Sequence, residues 1–272
     1  MSTSAEPEVS VDWRPCCSIA ALEARAGLLA EFREFFKARS VLEVQTAIIG
    51  AHTVTDVNIE SMAVGVGGYL QTSPEYQLKR LLAAGAPSLY QIGPVFRDRE
   101  QGRLHNPEFT LLEWYRLGFD DSSLMAEVSE LVDGVLGVAE YQSVTYAELV
   151  SDLDQPRDDL DLAFSQAVEA LPTGRWFITR FPADQAALAR LCPDDDSVAA
   201  RFELVVDGVE LANGYHELTD ALEQRRRFVA DIEERARRGL QEPAVDEKFL
   251  GCLEAGLPDC AGVALGVDRL LM

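Results

Sequence analysis

The sequence predicts an α+β fold, an antiparallel sheet flanked by helices. Two β-prone runs, 88–97 and 107–119, are separated only by a polar loop and read as one long hairpin. Helical periodicity falls in blocks that stand apart from the strands. The alternating βαβ rhythm of a parallel nucleotide-binding sheet is missing, as are GxxxxGKS/T and a placed GxGxxG.

In chain order, Ser18 can cap a helix whose Ile19, Leu22, Ala26, Leu29, Phe32 and Phe36 recur at helical spacing. An extended stretch follows at 41–44, and the Gly-rich run 65–68 reads as a hairpin turn before 69–72. Pro74 opens a helix through Leu82 that Gly85 can end. After the long hairpin, 120–136 is helical, and 141–175 is the least patterned stretch. Strands are expected at 202–206, 209–212 and 260–265, with a long charged helix at 220–239. The division expected is a flexible segment 1–17 and one domain 18–272 carrying a variable insertion at about 141–200.

A chain of 272 residues, 47% hydrophobic and 26% charged, can bury one substantial core. It has no apolar run long enough for a membrane span and no secretory pattern at its start. Five cysteines without a CxxC pair read as reduced thiols of a cytoplasmic protein rather than a zinc site. The net charge of −22 opposes nucleic acid as a partner, since a polyphosphate calls for a basic face.

Three segments carry chemistry. In FRDREQGRLHNPEFTLLEWYR, which starts at Phe96, a loop with Arg97, Arg99, Arg103 and His105 offers cationic donors to phosphates. The returning strand alternates so that Phe109, Leu111, Glu113 and Tyr115 share a face fit for an aromatic ring and an ammonium. The alternative is a hairpin with a solvated basic tip. In ELANGYHELTD, Glu210 and Glu217 flank an Asn-Gly turn and can converge on one divalent ion, or else are merely exposed acids; His216 reads as structural. In GVALGVDR, small residues allow close backbone approach before Asp268-Arg269 opens a helix, or form only a Gly-rich turn.

Together these segments resemble motifs 2 and 3 of class II aminoacyl-tRNA synthetases, in the lysyl branch. They are most similar to the EpmA family (also PoxA or GenX), lysyl-tRNA synthetase paralogues that attach (R)-β-lysine to elongation factor P. Thr72-Ser-Pro-Glu75-Tyr and Leu257-Pro-Asp-Cys260 match as well. The resemblance implies an ATP- and magnesium-dependent ligase that activates β-lysine or lysine as its adenylate. It implies that Arg97 and Arg269 are catalytic. The nucleotide would be bound by Arg97, Asp98, Arg99, Arg103, His105, Asn106, Phe109, Glu210, Leu211, Gly266 and Arg269, with Phe109 and Arg269 sandwiching adenine. The amino acid would meet Ser73, Pro74, Glu75, Glu113, Tyr115, Asn213, Glu217 and Ala264, and Glu210 and Glu217 would carry magnesium. Ala264 stands where the tRNA enzymes have glycine, a difference associated with β-lysine.

The family's acceptor is elongation factor P. A tRNA is not expected, because only seventeen residues precede the first helix and leave no room for an anticodon-binding domain. Arg99 replaces an acidic residue, with Glu100 adjacent, and Ala47 replaces the proline of motif 1, on which a homodimer would depend. The chain also stops at Met272, short of the full terminal helix expected. Rival readings are a related ligase with another substrate or acceptor, and a degraded paralogue acting as a binding module. Arg225, Arg226, Arg227, Arg235, Arg237 and Arg238 form the strongest basic cluster, read either as a docking patch for an acidic acceptor or as a locally paired helix face.

Overall fold

The structure is a computed structural model that describes residues 13–65 and 67–272. Most of segment 1–17, and Val66 in the Gly-rich turn, lie outside the described residues. Helix α1 (Ile19–Ala38) starts where expected, with Ser18 Oγ accepting from Ala21 N at 3.1 Å. Its first turns are exposed, however: Leu28, Phe32 and Phe36 make the buried stripe, while Ile19 and Leu22 face solvent. Strand β1 (Leu42–Glu43) follows, and β2 (Ile49–Gly50), β3 (Ala63–Val64) and β4 (Gly68–Leu70) form a small separate sheet. Helix α2 (Glu75–Ala83) follows Pro74 and stops before Gly85, whose φ of +94° suits glycine.

The long hairpin is β5 (Leu89–Phe96) and β6 (Glu108–Leu117), antiparallel in register Leu89↔Tyr115 through Phe96↔Glu108. Helix α3 (Asp121–Leu136) is capped by Asp120. Then come β7 (Tyr141–Thr145), α4 (Tyr146–Leu149), α5 (Arg157–Glu169), β8 (Arg175–Pro182), β9 (Leu191–Cys192), β10 (Asp195–Val206) and β11 (Val209–His216). The chain closes with α6 (Ala221–Arg237), α7 (Glu247–Gly256), β12 (Cys260–Gly266) and α8 (Val267–Leu271).

One nine-stranded sheet organises the molecule, in the order β1-β5-β6-β12-β11-β10-β8-β7, with β9 on β10. It is antiparallel except for the β1–β5 and β7–β8 pairs at its edges. The segment read as an insertion is thus part of the sheet; only α4 and α5 stand over it, on a small core with Ile178 and Phe181. On the central strands the pleat sends alternate side chains to opposite faces. Trp114, Leu112, Val263, Leu265, Phe202 and Leu204 pack under α1 and α3 in the main core. The other face is left open at its centre, between α2, α6 and α7 at one end and α5 at the other.

Candidate active site

The centre of that open face is a cavity of about 390 Å³. Its floor consists of two rows of side chains running across four strands. Tyr115, Gly262, Tyr215 and Arg201 are register partners in one row, and Glu113, Ala264 and Asn213 in the next, which continues to Glu203 outside the lining, where Arg201 and Asn213 donate to it. Gly262 is required there: a Cβ would lie 2.3 Å from Tyr115 Cε1 and 2.5 Å from Glu217 Oε1.

At one end stand three glutamates. Glu113 Oε1 accepts from the Tyr115 hydroxyl at 2.9 Å and its Oε2 from Ser73 Oγ at 2.8 Å. Burial, then the charge of Glu75, pushes the Glu113 carboxyl up to about 8. Glu217 is fully buried and is pushed up to about 8 by burial against the pull of Lys79. The Lys79 ammonium, itself wholly buried, bridges Glu75 Oε1 at 2.7 Å and Glu217 Oε2 at 2.5 Å. Burial works against its charge, but the two carboxylates win and hold it above the ordinary lysine range.

The other end is cationic. Arg97 reaches in from the end of β5 with its guanidinium 5.2 Å from the Phe109 ring centroid. Arg269, on the first turn of α8, donates to Glu210 O at 2.8 Å and to Glu210 Oε2 at 3.1 Å, and its Nη2 lies 2.8 Å from His105 Nε2. Its neighbour Asp268 accepts from Thr110 N at 2.7 Å and Arg25 Nη1 at 2.6 Å, so α8 is locked to β6 and α1. Arg103, Leu104 and Asn106 complete this wall, together with Glu100.

Of the residues singled out in the sequence, Ser73, Glu75, Arg97, Arg103, His105, Asn106, Phe109, Glu113, Tyr115, Glu210, Leu211, Asn213, Glu217, Ala264, Gly266 and Arg269 line this one cavity. Pro74 does not, because it is the N-cap position of α2. Asp98 and Arg99 are exposed on the loop outside, and Arg99 takes a φ of +61° to turn the chain.

The turn read between Glu210 and Glu217 needs correction. Asn213-Gly214 makes no turn, since β11 runs straight through it, paired on both sides. Gly214 is small because a Cβ would fall 2.4 Å from Phe202 Cζ. Glu210 lies on β11 and Glu217 just past its end, both lining the cavity, and Glu217 Oε2 is ion-paired with Lys79. The real turn is Asp207-Gly208, both at positive φ, between β10 and β11. It brings Glu203 beside Glu210, and an extra residue at Leu211 in the Leu204/Val205 register shift re-aims Glu210 into the cavity. Glu203 is buried and is raised to about 7 by burial first and by Glu210 second. A divalent cation would relieve both. No group of three or more His, Cys, Asp or Glu suited to a metal occurs among the described residues. The donor set thus fits an ion that takes two carboxylates and completes its shell with phosphate oxygens and water. Glu203, Lys79 and Arg201 were missed in the sequence, whereas Gly262 stood in the GVALGVDR segment read as allowing close approach. Glu203 was within reach, since it precedes Glu210 by the same seven residues that separate Glu210 from Glu217, with an Asp-Gly turn between.

The basic cluster on α6 is neutralised. Arg225 pairs with Glu247, Arg226 and Arg227 with Glu223, and Arg237 and Arg238 with Glu234. Arg235 is buried, donating to Asp56 O at 2.7 Å and Ile59 O at 3.2 Å, which holds the loop over the cavity mouth.

A family profile described as tRNA synthetases class II (D, K and N) matches residues 9–272. The chain belongs to the class II tRNA synthetase family. Class II synthetases and their ligase relatives use ATP and magnesium in general. Relatives of this class II domain include proteins named elongation factor P–(R)-β-lysine ligase. That of Vibrio cholerae serotype O1 is 43% identical, covering 96% of this chain and 93% of the relative. Those of Proteus mirabilis and Photorhabdus laumondii are 45% and 44% identical, covering 96% and 97% of this chain and 93% of each relative. The V. cholerae match runs over 304 positions, more than the 272 residues of the chain, so that relative holds segments this class II chain lacks.

Proposed function

We propose that this chain is an ATP-dependent ligase that activates (R)-β-lysine, or lysine, as its adenylate and transfers it to a lysine side chain of elongation factor P. The observation that carries this is one cavity with three glutamates at one end, Glu113 and Glu217 buried and Glu75 partly so, and Arg97, Arg269 and Arg103 at the other. A diammonium acid binds with its amines among Glu75, Glu113 and Glu217, which points its carboxylate toward the cationic end. Arg97 holds the α-phosphate and that carboxylate in line; Arg269 and Phe109 hold the adenine, and Arg269, Arg103 and His105 the outer phosphates. Magnesium, when held by Glu210 and Glu203, offsets the charge of the triphosphate. A carboxylate oxygen attacks the α-phosphorus, the bond to the β-phosphate breaks, and pyrophosphate leaves. The acceptor's free amine then attacks the acyl carbon, the acyl–phosphate bond breaks, and AMP leaves.

Amino-acid-dependent ATP–pyrophosphate exchange with β-lysine, α-lysine and norleucine tests the reading, followed by transfer of labelled amino acid to elongation factor P. Exchange with the two lysines is expected, with norleucine disfavoured by at least about a hundredfold. No exchange with any diamino acid would overturn it.

A further inference from the structure

Lys79 is the one wholly buried lysine among the described residues, and the mechanism above gives it nothing to do. It sits one helical turn after Glu75 on α2, an i,i+4 pair that points its ammonium into the glutamate end of the cavity. Each flanking carboxylate gives it one oxygen: Glu75 Oε1 at 2.7 Å and Glu217 Oε2 at 2.5 Å. Both Glu217 oxygens are buried without a hydrogen bond of good geometry, Oε2 meeting Lys79 as an ion pair and Oε1 meeting no partner. Glu113 is already served by two hydroxyl donors, Ser73 and Tyr115.

We propose that Lys79 is a positioning residue for a diammonium substrate: wedged between Glu75 and Glu217, it fixes both carboxylates and, with all three glutamates ionised, leaves the amino-acid end of the cavity two negative charges in surplus. Three carboxylates against one ammonium leave two charges unmatched, and an acid with two ammonium groups supplies two. A monoamino acid leaves one carboxylate buried without a counterion, which is strongly unfavourable. Without Lys79 the surplus would be three, and the carboxylates would keep their protons to higher pH.

The other groups facing this pair are Glu113 and Tyr115 on β6, Tyr215 on β11, Cys252 on α7, and Cys260 with Asp259 at the start of β12. The cations near enough to replace Lys79 are engaged or outside. Arg190 donates to Glu217 O at 3.0 Å and to Asp259 Oδ1 at 2.6 Å, and Arg80 is exposed.

The inference rests on the reading of this end as the amino-acid site, and the experiment separates the two. Pyrophosphate exchange is measured from pH 6 to 9.5 for the full chain and for Lys79→Met and Lys79→Arg, with β-lysine and α-lysine varied at saturating ATP and the reverse. Lys79→Met should raise the amino-acid KM at least about tenfold, with the KM for ATP within about twofold of the parent. It should also move the acid limb of kcat/KM for the amino acid to higher pH by about one unit or more, because the carboxylates lose their counterion. Lys79→Arg, which keeps the charge, should hold the acid limb in place while raising the amino-acid KM. A folded Lys79→Met with the parent KM and acid limb overturns the proposal. If Lys79→Met does not fold, a Lys79→Arg enzyme that loses ATP and amino-acid binding in parallel overturns it. Failure of the unmodified chain to exchange with any diamino acid would sink the site reading itself.

Discussion

Glu203, Glu210 and Glu217 recur every seven residues; Glu203 feels the charge of Glu210, whereas Glu217 is paired with Lys79, and two separate jobs are proposed for them. Glu203→Gln should raise the magnesium concentration needed for half-maximal exchange by at least about tenfold, with the amino-acid KM little changed. Glu217→Gln should do the reverse; a matching magnesium defect in Glu217→Gln would restore the pairing first read from the sequence. Glu113 and Glu217, both near 8 in the empty cavity, also set a pH dependence. Their folded-state values lie above the ordinary unfolded value of about 4.5, so the folded chain binds more protons between that value and 8. Stability of the ligand-free protein should therefore fall as pH rises from 5 to 8, and the diamino acid should restore it by supplying the counter-charge. Thermal melts of the parent and Glu113→Gln test this. An unchanged slope in Glu113→Gln would remove that residue from the account.

At the scale of elements, α8 is a single short turn held by Asp268 to Thr110 and Arg25. Asp268→Ala should cost about 1–3 kcal/mol of stability and raise the KM for ATP, leaving the amino-acid KM near the parent's; equal effects on both would argue against a nucleotide-side role. The hairpin β5–β6 and the face shared by Phe109, Leu111, Glu113 and Tyr115 were legible because strict alternation carries its own geometry. The basic loop and the acids were visible from residue types but carried bland alternatives, and the family resemblance supplied their roles. The Asn213-Gly214 turn failed because glycine answers two needs, a positive φ or room for a neighbour, and sequence alone does not say which. Here the neighbour is the Phe202 ring. Helix α7, strand β8 and the bridging role of Lys79 depend on contacts far apart along the chain, which local pattern does not record.

For the whole molecule, the net charge of −22 is not relieved by a free basic face on α6, whose arginines are paired along the helix, to α5 and α7, or to the loop around Glu60. Surface pairs of this kind contribute little individually, but they leave no strong local field for an acidic acceptor. Arg226→Glu should accordingly change the rate of transfer to elongation factor P by less than about twofold, measured at low salt where any such field would be largest. A steep loss would restore the docking patch. A side-by-side assay should also give no charging of tRNA, and efficient charging would overturn the protein-acceptor reading.

Strand β12 lies at the middle of the sheet and presents two unrelated surfaces. Ala261, Val263 and Leu265 belong to the core, whereas Gly262, Ala264 and Gly266 set the depth of the cavity. The small residues of the cavity floor thereby alternate with the residues that keep the protein folded. Selection can deepen or shallow this floor one methyl at a time without renegotiating the interior. Ala264, flanked by Glu113 and Asn213, is the position where such retuning should act first. Ala264→Gly should shift the ratio of α-lysine to β-lysine activation while costing only about 1 kcal/mol of stability.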